Sequence, residues 1–127
     1  MTLQGYNPKR TETIRPTVLV TNNRFIGMAR EQATVAGEPV YGGAPEAIAA
    51  NADGAVVVEG SVLITTGAAI PLIAGGGTFA WVQTNAAGLV IPYAGGAANV
   101  AGIVRAAKLA PNELACVELL PLAAPLV

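Results

Sequence analysis

The side chains with which this sequence could do covalent or acid–base chemistry are few: one cysteine, Cys116, eight carboxylates and no histidine. Without histidine, the Ser-His-Asp and Cys-His arrangements that activate most nucleophiles cannot be assembled. A structural zinc site needs clustered Cys and His, which one cysteine does not supply. Cys116 sits in an apolar run with no basic neighbour in sequence to lower its pKa, so it reads as a buried structural thiol. Standing alone it can form no intrachain disulfide, and it gives secretion no support. The carboxylates Glu31, Glu38, Glu46, Asp53 and Glu59 are widely spaced. Two acids can meet in space from anywhere in a fold, but the spacing favours surface solvation.

Ligand-binding motifs are similarly sparse. Gly75-Gly76-Gly77 lacks the Gly-x-x-x-x-Gly-Lys-Ser/Thr pattern and has no Lys or Arg near it, so a turn explains it better than a phosphate cradle. Phe79, Trp81 and Tyr93 have faces on which bases could stack. Their surroundings, however, offer no positive charge to hold a phosphate backbone. Trp81 therefore reads as a core or subunit-interface anchor. The chemistry expected of this chain is binding without catalysis: no cofactor, no metal, no nucleic acid.

The elements that would position these residues follow from composition. Hydrophobic residues make up 53% of the 127 positions and charged residues only 12%, carried by small aliphatics more than by aromatics. A chain of this length makes one domain, and a charge-poor one needs somewhere to hide its surplus apolar surface, usually a partner subunit. The net charge of −1 creates no global field for nucleic acid or anionic membrane. Five of the seven basic residues, Lys9, Arg10, Arg15, Arg24 and Arg30, lie in the first thirty positions, whereas Gly60 through Val104 carry no charge. That uncharged stretch is broken by Gly60, Gly67, Pro71 and the triple glycine, so a membrane-spanning helix is not expected. The amino-terminal region is polar and shows no apolar signal segment.

Residues 1–16 have neither helical nor strand periodicity and read as an extended arm, either frayed or laid across a neighbouring subunit. From Thr17 to Leu120 the signals are short β-branched runs separated by turns. The runs are Thr17–Thr21, Phe25–Ala29, Gly37–Tyr41, Ala55–Thr66 with a bulge or bend at Gly60, Thr78–Thr84, Leu89–Ile91, Val100–Lys108 and Leu114–Leu120. Asn22-Asn23, Gly42-Gly43, Asn51–Gly54 and Pro111-Asn112 read as turns. Pro92 suggests an edge or a strand end. Pro45–Ala50 and Ala97–Leu109 are alanine-rich and are the two places where a helix competes. The pattern predicts an all-β fold, a small barrel or sandwich, with an irregular apolar tail over 121–127.

The order of these strands resembles the small capsid decoration, or cement, proteins of tailed bacteriophages. Ala36-Gly37-Glu38-Pro39-Val40 looks like the family's Ala-Gly-Asp/Glu-Pro-Val opening. Val56-Val57-Val58-Glu59-Gly60 matches its valine-rich strand ending in Glu-Gly, and Gly67-Ala68-Ala69-Ile70 its small-residue segment. Gly102-Ile103-Val104 and Glu113–Leu119 resemble its closing strands. The resemblance spans roughly Val35 to Leu119 and leaves out the arm, the Trp81 region and the tail.

The resemblance implies a structural virion protein seated on the outer surface of the phage head, made in the bacterial cytoplasm, whose partners are the major capsid protein and its own copies. A trimer is the expected oligomer and a dimer the alternative. Some relatives have carried a recombinase label, against which the missing nucleotide-binding loop argues. On this reading Tyr6, Lys9, Arg10 and Arg15 of the arm meet the capsid, and Trp81, Leu120, Leu122 and Leu126 are candidates for the subunit interface. The alternative is another self-assembling structural subunit of a tail, fibre or shell.

Overall fold

The structure, a computed structural model, describes residues 8–72 and 77–120. Eight strands account for the regular structure, and there is no helix among the described residues. They are β1 (Pro8–Ile14), β2 (Arg24–Gly27), β3 (Val40–Ala44), β4 (Gly54–Thr65), β5 (Ala80–Thr84), β6 (Val90–Pro92), β7 (Gly102–Val104) and β8 (Leu114–Leu119). The all-β expectation holds, and the two alanine-rich stretches stay non-helical. Pro45–Ala50 is too short to nucleate a helix, and Gly102 with its β-branched neighbours forms β7 instead.

The strands run in the order β2-β3-β4-β8-β7-β5-β6, with β1 added to β4. β4 is twelve residues long and belongs to two parts of the fold. Its first half pairs with β1 and touches β3, with Thr11 and Gly43 both opposite Val57. Its second half, Ser61 to Thr65, pairs with Glu118 to Leu114 of β8. The changeover falls at Gly60, whose φ of 88° lies in the left-handed region. A residue with a side chain is strained there, so glycine allows the strand to bend from one sheet into the other.

The second part is nearly a closed barrel. From β4 the ladder passes through β8, β7, β5 and β6 and then returns, because Thr66 forms a parallel bridge with Val90 and the Gly67 N–H donates to the Val90 carbonyl at 2.8 Å. The closing strand is short and ends on Pro92, which has no N–H to offer a further neighbour. Buried Thr66 pins this end: its hydroxyl donates to the Ala110 carbonyl and accepts from the Glu113 N–H, both at 2.9 Å.

Two apolar clusters share β2 and β4. Phe25, Val57, Val62 and Ile64 point into the barrel with Ile70, Val82, Val90, Val104 and Val117. Ile14, Ile26, Val56 and Val58 point the other way and pack with Val20, Tyr41, Ala44 and Ile48. The run Val56-Val57-Val58 is thus apolar without alternation because both faces of this sheet are covered.

Several local expectations needed correction. Thr17–Thr21 is not a strand: only Val20 is bridged, to Ile48, while Val18 and Leu19 face solvent. Gly42-Gly43 lies inside β3 and is no turn. A Cβ on Gly42 would stand 2.4 Å from the Val57 carbonyl oxygen, so the glycines are there for the close approach of β3 to β4. The turns at Asn23, Asn51 and Asn112 were legible, and each asparagine has a positive φ. The arm also changes character, since residues 8–14 form a strand on the chain's own β4 in place of a free extension. Pairing of its backbone overrides a side-chain pattern that showed no period.

Candidate interaction surface

The residues able to do chemistry are dispersed. Among the described residues no group of three or more His, Cys, Asp or Glu is placed to hold a metal ion. Most of the carboxylates cap loops or join ion pairs. Glu31 accepts from the Thr17 N–H at 2.8 Å, the Thr17 hydroxyl at 3.0 Å and the Val18 N–H at 3.2 Å, led by the Thr17 amide in holding its carboxyl below the ordinary range. Glu38 accepts from the Thr34 and Val35 amides at 2.9 and 2.8 Å. Cys116 is half-buried on β8, and loss of water around it pushes the thiol pKa up, away from reactivity. No helix among the described residues is long and apolar enough to cross a membrane.

Two surfaces remain. The first is apolar and built on β5. Trp81 lies opposite Ile103, which lies opposite Glu118, and the Tyr93 N–H donates to the Trp81 carbonyl at 3.0 Å. Residues directly opposite across a ladder share a face, so the row reads across β5, β7 and β8. Trp81 is 41% exposed, unusual for so large an apolar group, and Phe79 meets it edge-on with centroids 5.4 Å apart. Pro71, Ala80, Trp81, Pro92 and Tyr93 line a cleft of about 200 Å³. Substrate pockets run to ~300–1,000 Å³, so this one has room for one or two side chains. The row turns polar at Glu118, which Arg105 bridges at 2.5 Å.

The second surface is charged and built on β1. Five of its seven residues, Pro8 to Thr11 and Thr13, are exposed, Glu12 is half-exposed and Ile14 is buried. Arg10 pairs with Glu12 and, at 3.5 Å, with Glu59 across the ladder. Arg15 stands 3.6 Å from Asp53 and donates to the Asn51 carbonyl at 3.2 Å. Glu12 also accepts from the Tyr41 hydroxyl, and the Arg30 guanidinium lies 4.1 Å from the centre of the Tyr41 ring. The Tyr41 hydrogen bond is the chief reason that the Glu12 carboxyl titrates lower and Tyr41 higher than usual. β1 pairs with β4 alone, so its other edge bears no strand among the described residues.

Of the interface candidates, Trp81 faces outward and Leu120 is half-buried, its N–H donating to the Ala101 carbonyl at 3.1 Å. Leu122 and Leu126 lie outside the described residues, as does Tyr6. Lys9, Arg10 and Arg15 are exposed on or just after β1, the last two already engaged by the chain's own acids. The Glu12–Tyr41–Arg30 cluster escaped sequence reasoning, since nothing in the spacing of positions 12, 30 and 41 signals contact. The Phe79–Trp81 pair did carry a signal: residues two apart fall on the same side of an extended chain.

No family model matches this sequence, and neither a curated protein nor a solved structure matches it.

Proposed function

We propose that this protein is a non-catalytic structural subunit that binds the outside of a phage capsid and stabilises it by bridging major capsid subunits. The supporting observation is the division of its surface. The uncharged aromatic cleft around Trp81 suits contact with further copies, and a charged strand whose outer edge bears no strand among the described residues suits contact with a different partner. Strand addition at β1 would supply backbone hydrogen bonds, and the mixed charges of Lys9, Arg10 and Glu12 would set register more than affinity. Repetition over a lattice multiplies modest affinities, so no single contact has to be strong.

Co-sedimentation of the purified protein with undecorated, expanded phage heads, followed by particle imaging, tests the reading. Saturable occupancy at repeated lattice positions is the expected result. A folded protein that leaves its cognate heads bare would instead point to a tail, fibre or shell component that assembles by itself.

A further inference from the structure

We infer that residues 121–127 of one copy dock into the Trp81 cleft of a neighbouring copy, linking copies head to tail. The inference rests on the reading of this chain as a self-associating structural subunit and adds which segment fills which site.

The chemistry of the two parts matches. The cleft is walled by two aromatics and two prolines, lies in a stretch of sequence without a charge, and leaves Trp81 partly uncovered. Residues 121–127 also carry no charged side chain, with Pro121, Leu122, Pro125, Leu126 and Val127 as their larger apolar groups. Proline-containing segments suit aromatic-lined grooves because proline limits the freedom lost on docking. The cleft's volume fits one or two such side chains and little more.

Strand register says which copy's segment it is. β8 runs parallel to β5, because each is antiparallel to β7. Glu118 is level with Ile103 and Trp81, Leu119 with Gly102 and Val82, and Leu120 bonds to Ala101 one step further on. The chain therefore passes the level of Trp81 and travels away from it as β8 ends. Returning to its own cleft would take a reversal directly after Leu120 and a path back across β7 to β5. Continuing outward, seven residues can span ~23 Å, enough to reach an adjoining molecule.

Trp81 is the only tryptophan, so its fluorescence reports on this cleft alone. The test compares the full chain with the double variant Leu122→Asp/Leu126→Asp. Acrylamide quenching and sedimentation velocity are measured over a dilution series, with circular dichroism to confirm that both are folded. For the full chain we expect assembly with a shielded Trp81, both lost together on dilution. For the variant we expect a folded monomer with several-fold stronger quenching, and a synthetic peptide of residues 120–127 should restore the shielding. An unchanged assembly in the variant would overturn the inference. So would shielding that persists in the diluted monomer, which assigns the cleft to the chain's own tail, and so would a full chain that never assembles. Head binding is scored separately: heads decorated by a monomer sink the docking and keep the capsid reading, whereas tail-dependent assembly with bare heads does the reverse.

Discussion

The two halves of β4 serve two kinds of structure. Its second half is one stave of a barrel that returns on itself through Thr66 and Val90, with a core of aliphatics and Phe25 enclosed by a hydrogen-bonded ring. Its first half is the middle of an open sheet. There Ile14, Val20, Ile26, Tyr41 and Ile48 belong to a second, smaller buried cluster, in which a backbone bridge joins Val20 to Ile48. Closure makes opening costly, because every stave has two partners. The open sheet ends on β1, whose backbone has one partner strand among the described residues and whose Ile14 is its sole fully buried side chain. The same strand thus carries a rigid body at one end and an edge suited to exchange at the other.

Truncating one side chain in each cluster sharpens this contrast most. Phe25→Ala removes a fully buried aromatic from the barrel and should cost ~3–5 kcal/mol of unfolding free energy, read from urea denaturation. Ile14→Ala falls in the ~2–5 kcal/mol range for such a truncation and should lie at its low end, since β1 can move inward. Its clearer signature would be faster hydrogen exchange confined to β1 and its β4 partners. Equal effects on exchange throughout the molecule would mean that the two halves open as one unit.

A smaller effect should follow from Tyr41→Phe, which removes the hydrogen bond to Glu12 while keeping the ring beneath Arg30. The loss of stability should be smaller than for either truncation, because water competes for the half-exposed carboxylate. It should appear as weaker protection of the β1 amides with the barrel unchanged. Loss of protection in β7 or β8 instead would contradict the separation of the two regions.

The smallest effect is one of pH. Glu12 and Glu31 both titrate below the usual carboxylate range in the folded state, the first through Tyr41 and the second through the Thr17 amide. Their contribution is present above the unfolded carboxylate pKa and is lost as pH falls through the lowered folded value. Tyr41 is raised, so its contribution is complete below the ordinary tyrosine pKa and disappears as pH climbs through the raised one. Protection of the β1 amides, taken relative to their intrinsic exchange rates, should therefore fall at both acid and strongly alkaline pH. A Glu12→Gln variant should flatten the acid limb for β1 and leave that of the 17–20 loop in place.

Much of the barrel was legible because its signals are local. β-branched runs bounded by Asn, Gly and Pro give strands and turns wherever they occur, and the ends of β4, β5, β6 and β8 fell within about two residues of the pattern, within the usual uncertainty of strand ends. The arm was misread over 8–14 because a strand exposed along most of its length needs no apolar alternation; it is held by backbone pairing that leaves no trace in side-chain type. Thr17–Thr21 erred in the other direction: its β-branched side chains had the propensity, but no neighbouring strand arrived to pair with it. Of the candidate surface, Trp81 reads from the sequence as a core or subunit-interface anchor, and only the sheet shows that it is partly exposed. The Tyr41 cluster was not legible, since its members meet only because β1 and β3 flank β4 and Arg30 lies over Tyr41.

By itself the sequence determined strand content, most turns, the absence of histidine chemistry and the division into a basic beginning and an uncharged middle. These depend on residue type and short-range spacing. Which strands are neighbours, that β4 bends at Gly60 to serve two sheets, that Gly42-Gly43 admits a passing backbone and that β8 carries the chain past Trp81 were decided by the tertiary structure alone. Those features are set by pairing between residues far apart in the chain, and a local pattern stabilises many such pairings almost equally until one of them encloses a core.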